Sequence, residues 1–204
     1  MAMDADAAGG DGPARVRWNA RYRDRALPEE PASFVTERLP LLPRTGQALD
    51  LAGGGGRHAI LLARHGLDVT LIDVSDVACA AARARARAAG VAVEVVRRSL
   101  AVAAVPPGPF AVVLAHHYLD GAVWEAAVAG LAPRGVALLC QPTVRNLERH
   151  DRPGRRWLLE EGRIRRFADG WCARQPGLEV VELTEGWTPQ GRHEARLVLR
   201  RRAG

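Results

Sequence analysis

The sequence predicts an α/β protein, a three-layer sandwich around a mostly parallel, seven-stranded sheet whose last strand is antiparallel. Three observations point there. From Gln47 onward, short apolar runs alternate with helical stretches, which is the rhythm of βαβ units. Several runs, FAVVLA and GVALLC among them, are apolar at every position, as strands covered on both faces are. The last two runs, LEVVEL and EARLVLRR, have no helix between them, so they pair as a hairpin or cross locally, and the last strand turns against its neighbours.

Taken in order, Met1–Pro13 is acidic and rich in Ala and Gly, with neither a basic region nor an apolar core. It reads as a disordered tail over 1–13 rather than a signal peptide, and one folded domain is expected over 14–204. Arg15–Asp24 forms a short helix with Trp18 and Tyr22 one turn apart on one face. Pro31 suits the first turn of a second helix running to about Leu42. The strand QALDL then leads through a glycine run into the helix RHAILLARHG. DVTLID follows, and a helix from Val77 to Ala89 is stopped by Gly90. VAVEVV is the next strand, and the loop Val105–Pro109 leads into FAVVLA. A helix over Ala122–Leu131 precedes GVALLCQP. Thr143–Arg156 breaks the rhythm as a polar, Arg-rich insertion, and a short helix over Arg163–Ala168 precedes the final two strands.

A chain of 204 residues fits one domain. Hydrophobic residues at 48% and charged residues at 25% exclude general disorder. No apolar run approaches the roughly 18–20 residues that cross a bilayer, so no membrane span is expected. Cys79, Cys140 and Cys172 are odd in number and widely spaced, which argues against a disulfide framework and a zinc site, and fits a reducing cytoplasm. Net charge is +6, yet all 29 basic residues are Arg and none is Lys, a bias we attribute to GC-rich coding. With no basic strand interleaved with aromatics, nucleic acid is not the expected partner. A monomer or a homodimer fits the sequence equally well.

The chemistry concentrates in Leu49–His58, LDLAGGGGRH. A strand ends at Asp50 and Leu51, four glycines follow, and a helix begins near Arg57. Glycines let the backbone turn sharply and approach a ligand closely, and the helix start offers free N–H groups. Gly54, Gly56 and Ala59 satisfy the dinucleotide pattern GxGxxA. Asp50 separates two ligand classes, because a carboxylate facing the loop repels a pyrophosphate and suits an ammonium or sulfonium. Asp73 closes the next strand, where an acid accepts hydrogen bonds from ribose hydroxyls. The pair reads as a site for an adenosyl ligand with a cationic tail.

LDLAGGGGRHAILLARHG followed by VTLIDVS resembles motifs I and II of class I S-adenosylmethionine-dependent methyltransferases, and the resemblance runs from about Trp18 to Arg200. Within that class the chain is similar to the tellurite-resistance type of small-molecule methyltransferase, which begins with a W-x-x-R-Y segment, here Trp18, Arg21 and Tyr22. LAPRGVALLCQPT is similar to the L-x-P-G-G strand of that branch, and RRWLLEEGRI to its F-L-L-x-P-G-E-L segment. The resemblance implies a Rossmann-like fold, S-adenosyl-L-methionine as donor, S-adenosyl-L-homocysteine as product, and a small-molecule acceptor. It implies that Asp50 and the loop of Ala52, Gly53, Gly54 and Gly56 hold the methionine part, with Arg57 either reaching the donor carboxylate or facing solvent. Asp73 would bind the ribose, Val74 would pack on adenine, and Ser99 and Leu100 would stand at its amino group. His116 would line the methyl-transfer cleft, and Trp18 and Tyr22 would form a lid or else pin the first helix to the core. Three positions depart from the pattern: Ala52 for a glycine, Ser99 for an Asp, and Gln141 for an acid.

Methyl transfer from a sulfonium asks the enzyme to align nucleophile, methyl and sulfur and to exclude water, with a base only where the nucleophile must lose a proton. His116 is the candidate base and Tyr118 a candidate for orienting the acceptor; no metal is expected. Neighbouring side chains on a strand point to opposite sides, so His117 is expected to face away as a structural histidine. His58, in the first turn of a helix, is expected to be neutral and packed. Arg145, Arg149, Arg152, Arg155 and Arg156 could meet an anionic acceptor or form a solvated face, and Trp157 and Trp171 could line the acceptor pocket or close the core. The alternative functions are a non-catalytic donor-binding module and a nicotinamide-dependent oxidoreductase.

Overall fold

The computed structural model describes residues 12–203. Of the expected tail, 1–11 lies outside those residues, while Gly12 and Pro13 already belong to the first helix, α1 (Gly12–Asp24). Five further helices are α2 (Ser33–Thr36), α3 (Arg57–Arg64), α4 (Asp76–Ala88), α5 (Gly121–Ala129) and α6 (Arg163–Arg174). The strands are β1 (Gln47–Leu51), β2 (Asp68–Asp73), β3 (Val93–Arg97), β4 (Phe110–His116), β5 (Leu131–Pro142), β6 (Leu178–Trp187) and β7 (His193–Arg201).

They form one seven-stranded sheet in the order β3-β2-β1-β4-β5-β7-β6. The pairs β1–β2, β1–β4, β2–β3 and β4–β5 are parallel, and β7 is antiparallel to both β5 and β6. The final hairpin therefore inserts β7 between β5 and β6, and the antiparallel last strand follows from the helix-free link read in the sequence. Strand order reverses between β1 and β4, and in such sheets ligands bind beyond the carboxyl ends of the strands flanking that point.

Because both faces are covered, alternate residues of each central strand feed two cores. Leu49, Leu51, Val113, Leu139 and Leu197 pack with Trp124 of α5 and Trp171 of α6. Ala48, Val112, Leu114, Leu138 and Val198 pack with Phe34 of α2, Leu62 of α3 and Ala82 of α4. Trp171 thus closes a core rather than lining a pocket, with 1% exposure.

Two helices differ from the sequence expectation. The helix expected over Pro31–Leu42 is one turn, α2, followed by a 3-10 turn over Leu39–Leu41. Pro40 supplies no N–H and disfavours helical backbone at Leu39, so the α-helix ends first. The helix expected to stop at Ala168 runs on to Arg174, because the buried face of Ile164 and Ala168 continues to Trp171.

Candidate functional site

The loop between β1 and α3 crosses the carboxyl edge of the sheet at the reversal point. Gly54 and Gly56 have φ of 55° and 80°, left-handed values that explain glycine there. The Gly53 amide donates to Ile72 O at 3.3 Å and ties the loop to β2. A Cβ on Gly53 would lie 2.7 Å from Asp50 Oδ2 and 2.6 Å from Leu71 Cγ, so the turn wraps tightly over the carboxylate. Ala52 adopts φ 53° in the same left-handed region, the conformation that makes a glycine natural at this position.

Asp50 is 1% exposed. Burial, with Asp73 adding, pushes its carboxyl up to about 7. Its Oδ2 is buried with no hydrogen-bond partner, an orphaned acceptor that fits an ammonium ligand. Asp73 is buried too, and burial raises its carboxyl, but its oxygens accept from the Gly54 amide at 2.9 Å and the Ser75 amide at 2.8 Å. Val74 follows it half-buried, while Leu100 packs against the α5–α6 core and Ser99 is half-buried beside it.

Helix α1 lies over this loop. Asn19, which sequence reasoning missed, fastens it: Nδ2 donates to Asp76 Oδ2 at 2.9 Å and Oδ1 accepts from Ser75 Oγ at 2.6 Å. The Tyr22 hydroxyl would lie 3.7 Å from a Cβ on Gly54. Trp18 stacks on Tyr22 at 5.5 Å between centroids and meets Trp157 edge-on at 6.1 Å. Trp157 thus joins the cover rather than the core, and its carbonyl accepts from Gln141 Nε2, while Gln141 Oε1 is buried without a partner. Arg85 of α4 donates to Leu27 O at 2.9 Å and Gly55 O at 3.3 Å, holding the glycine loop from behind.

The second half of the site corrects an expectation. His116 and His117 were expected on opposite sides of the sheet, but their rings stack at 3.9 Å. The reason is backbone: His117 has φ 62°, so strand alternation stops at His116 and the next side chain folds back to the same side. His117 Nε2 donates to Glu194 Oε1 at 3.0 Å. Glu194, also missed from sequence, accepts from Arg196 at 2.8 Å and from Cys140 Sγ at 3.5 Å. Burial opposes the Glu194 charge, yet the bonds to His117 and Arg196 hold its carboxyl down to about 2.

His58 packs 4.8 Å from His116 and accepts from the Ala32 amide at 3.2 Å. Burial, with Arg57 beside it, pushes His58 down to about 3, so it is neutral and packed as expected. Burial, then the His117 neighbour, holds His116 well below the usual histidine range. Arg57 donates to Glu30 O at 2.9 Å, which turns its guanidinium toward the α1–α2 link. Tyr118 is not brought to this group, because its ring packs against the α5–α6 core on the far face. The arginines of the insertion divide among surface contacts: Arg145 pairs with Glu148, Arg155 with Glu160, and Arg149 lies 3.8 Å over Trp187.

Residues 48–134 match the family described as "Methyltransferase domain". No curated protein sequence matches the chain. Among solved structures, the fold is similar to magnesium protoporphyrin IX methyltransferase from Synechocystis PCC 6803 with bound SAM, at 18% identity and TM-score 0.65, covering 98% of this chain and 100% of that one. It is similar to TehB from Haemophilus influenzae at 14% identity and TM-score 0.68, covering 90% and 67%. A third is an SAM-dependent methyltransferase from Thiobacillus denitrificans in complex with S-adenosyl-L-homocysteine, at 20% identity and TM-score 0.60, covering 82% and 73%. These likenesses establish the fold. Among the described residues, no helix is long and apolar enough to cross a membrane.

Proposed function

We propose that this chain, of which residues 48–134 match the methyltransferase-domain family, is an S-adenosylmethionine-dependent methyltransferase that transfers the donor's methyl group to a small, soft or anionic nucleophile at the carboxyl edge of β4 and β5. The observation that carries the donor half is Asp50 Oδ2, buried and unpartnered behind a glycine loop. The ionised carboxylate takes the ammonium of the methionine part, and the loop of Ala52, Gly53, Gly54 and Gly56 lets the backbone approach it. Asp73 takes the ribose hydroxyls on lone pairs left over from its two backbone bonds. Val74, Ser99 and Leu100 flank the adenine, and Arg57, held on Glu30 O, adds positive charge beside Asp50 rather than a bond to the donor. Trp18 and Tyr22, anchored through Asn19, cover the site and exclude water.

Bound there, the donor supplies a methyl group already activated on a sulfonium. The chain's own task is alignment. His116 sits at the end of β4 where the acceptor would approach. The burial and neighbouring charges that hold it neutral make it a weak base, which suits an acceptor such as a thiolate or oxyanion that has no proton to lose. Arg57 and Arg196 put positive charge beside it, which favours a soft or anionic acceptor over a cationic one. Tyr118 has no part in this reading, given its packing on the far face.

Ala52 favours one second reading, a donor-binding module without turnover, because a left-handed alanine strains the loop that holds the donor. Incubation with methyl-labelled donor and a panel of thiols and metalloid oxyanions separates the two. Labelled product with stoichiometric S-adenosyl-L-homocysteine supports the enzyme, and its loss in His116→Ala with donor binding intact supports His116 at the acceptor. Donor binding with no turnover across the panel supports the module.

A further inference from the structure

Strand pairing brings together residues that the sequence keeps 24 positions apart. His116 and Cys140 are register partners across β4 and β5, and Cys140 faces Arg196 across β5 and β7. The backbone turn at His117 adds its ring to the same side. One ligand atom from each of His116, His117 and Cys140 falls within 4.8 Å of the others. We propose that these three side chains form a binding site for a thiophilic d10 cation of the zinc class, which goes beyond the donor reading and does not depend on it.

The donor set argues for that class. One sulfur and two imidazoles suit zinc, whereas calcium and magnesium need a shell of oxygens. Zinc bond lengths place such ligand atoms about 3.3–3.6 Å apart, so the widest separation must contract by up to about 1.5 Å. The His117 side chain is 29% exposed, which leaves it room to move and gives the ion an entry path. An imidazole in its neutral form offers one nitrogen lone pair, as a ligand must.

Glu194 completes the arrangement from behind. Its bond to His117 Nε2 leaves Nδ1 as the coordinating nitrogen, the carboxylate–histidine pairing that orients metal-bound imidazoles. It also accepts from Cys140 Sγ and stands ready to hold the thiol while its proton leaves to solvent. Arg57, Arg192 and Arg196 stand nearby and weigh against a purely electrostatic cation site; the Cys140 thiolate formed on binding and the Glu194 carboxylate offset two of these charges, and the sulfur and imidazole bonds supply the affinity. Three protein ligands leave a fourth position open on the side where the acceptor enters. With the ion in place, His116 is a ligand and not a base.

The test is titration of chelator-treated protein with Co²⁺, read by absorption. One equivalent should produce a sulfur-to-cobalt charge-transfer band in the near ultraviolet with visible d–d bands, and Zn²⁺ should bleach both. Cys140→Ser should abolish the charge-transfer band, His117→Ala should weaken binding at least tenfold, and Glu194→Gln should weaken it by about 10–100-fold. Cys172→Ser should leave the spectrum unchanged. Far-ultraviolet circular dichroism of each variant controls for folding. No charge-transfer band in the parent protein, or a band that survives Cys140→Ser, overturns the proposal.

Discussion

His116 and His117 are sequence neighbours at the end of a strand, yet their rings stack 3.9 Å apart with 29° between planes. The left-handed backbone of His117 makes this possible, and the bond from its Nε2 to Glu194 fixes it. Glu194 also takes Arg196, so one 6%-exposed carboxylate serves a histidine, a guanidinium and a thiol. Glu194→Ala leaves these groups without their acceptor and should lower unfolding stability by about 1–3 kcal/mol in urea titration. The exposed Glu148→Ala should leave the urea midpoint essentially unchanged.

Asp50 sets a pH dependence. Its folded-state carboxyl lies at about 7, above its ordinary 3.8. The neutral form is therefore favoured by folding: that stability is fully present below about pH 4 and is lost as pH rises through about 7. Donor binding runs the other way, because the ammonium wants the ionised carboxylate. Affinity for S-adenosyl-L-homocysteine should be about tenfold weaker at pH 6 than at pH 8. Asp50→Asn should remove that difference, weaken binding at pH 8 at least tenfold, and raise the ligand-free urea midpoint at that pH.

Ala52 is a left-handed alanine at φ 53°. Ala52→Gly relieves the steric penalty, and the net gain after glycine's larger unfolded-state entropy should be up to about 1 kcal/mol. Donor binding should tighten or stay unchanged. A loss of stability would show that the alanine methyl makes contacts worth more than the strain.

Asn19 joins the cover to the sheet layers. Asn19→Ala removes its bonds to Ser75 and Asp76, leaving the buried Ser75 hydroxyl proton without an acceptor while its oxygen still caps α4 at the Ala78 amide. Thermal stability should fall, and S-adenosyl-L-homocysteine should dissociate faster, as followed by displacement of radiolabelled ligand. Trp18→Ala should speed dissociation with a smaller loss of stability, because its ring meets Tyr22 and Trp157 at the cover rather than a core.

The sheet was legible because its strands are continuous apolar runs, and the antiparallel β7 because no helix intervenes before it. The donor half was legible for a related reason: Asp50, the glycines and Asp73 lie within 24 residues, so sequence spacing stands in for geometry. The other half was not. Cys140 and Glu194 reach His116 only through pairing of β4, β5 and β7, which no local pattern encodes. His117 was misplaced because strand periodicity was extended one residue too far, through a left-handed turn that a histidine does not announce. Asn19 was hidden inside an Arg-rich helix whose aromatic residues drew the reading to Trp18 and Tyr22.

The most direct test of the account is calorimetric titration of the protein with S-adenosyl-L-homocysteine, with NADH titrated in parallel and Asp73→Ala as the paired variant. The account predicts one site for S-adenosyl-L-homocysteine, none for NADH, and a loss of affinity of at least tenfold in Asp73→Ala. NADH binding, or S-adenosyl-L-homocysteine affinity unchanged in that variant, would contradict it.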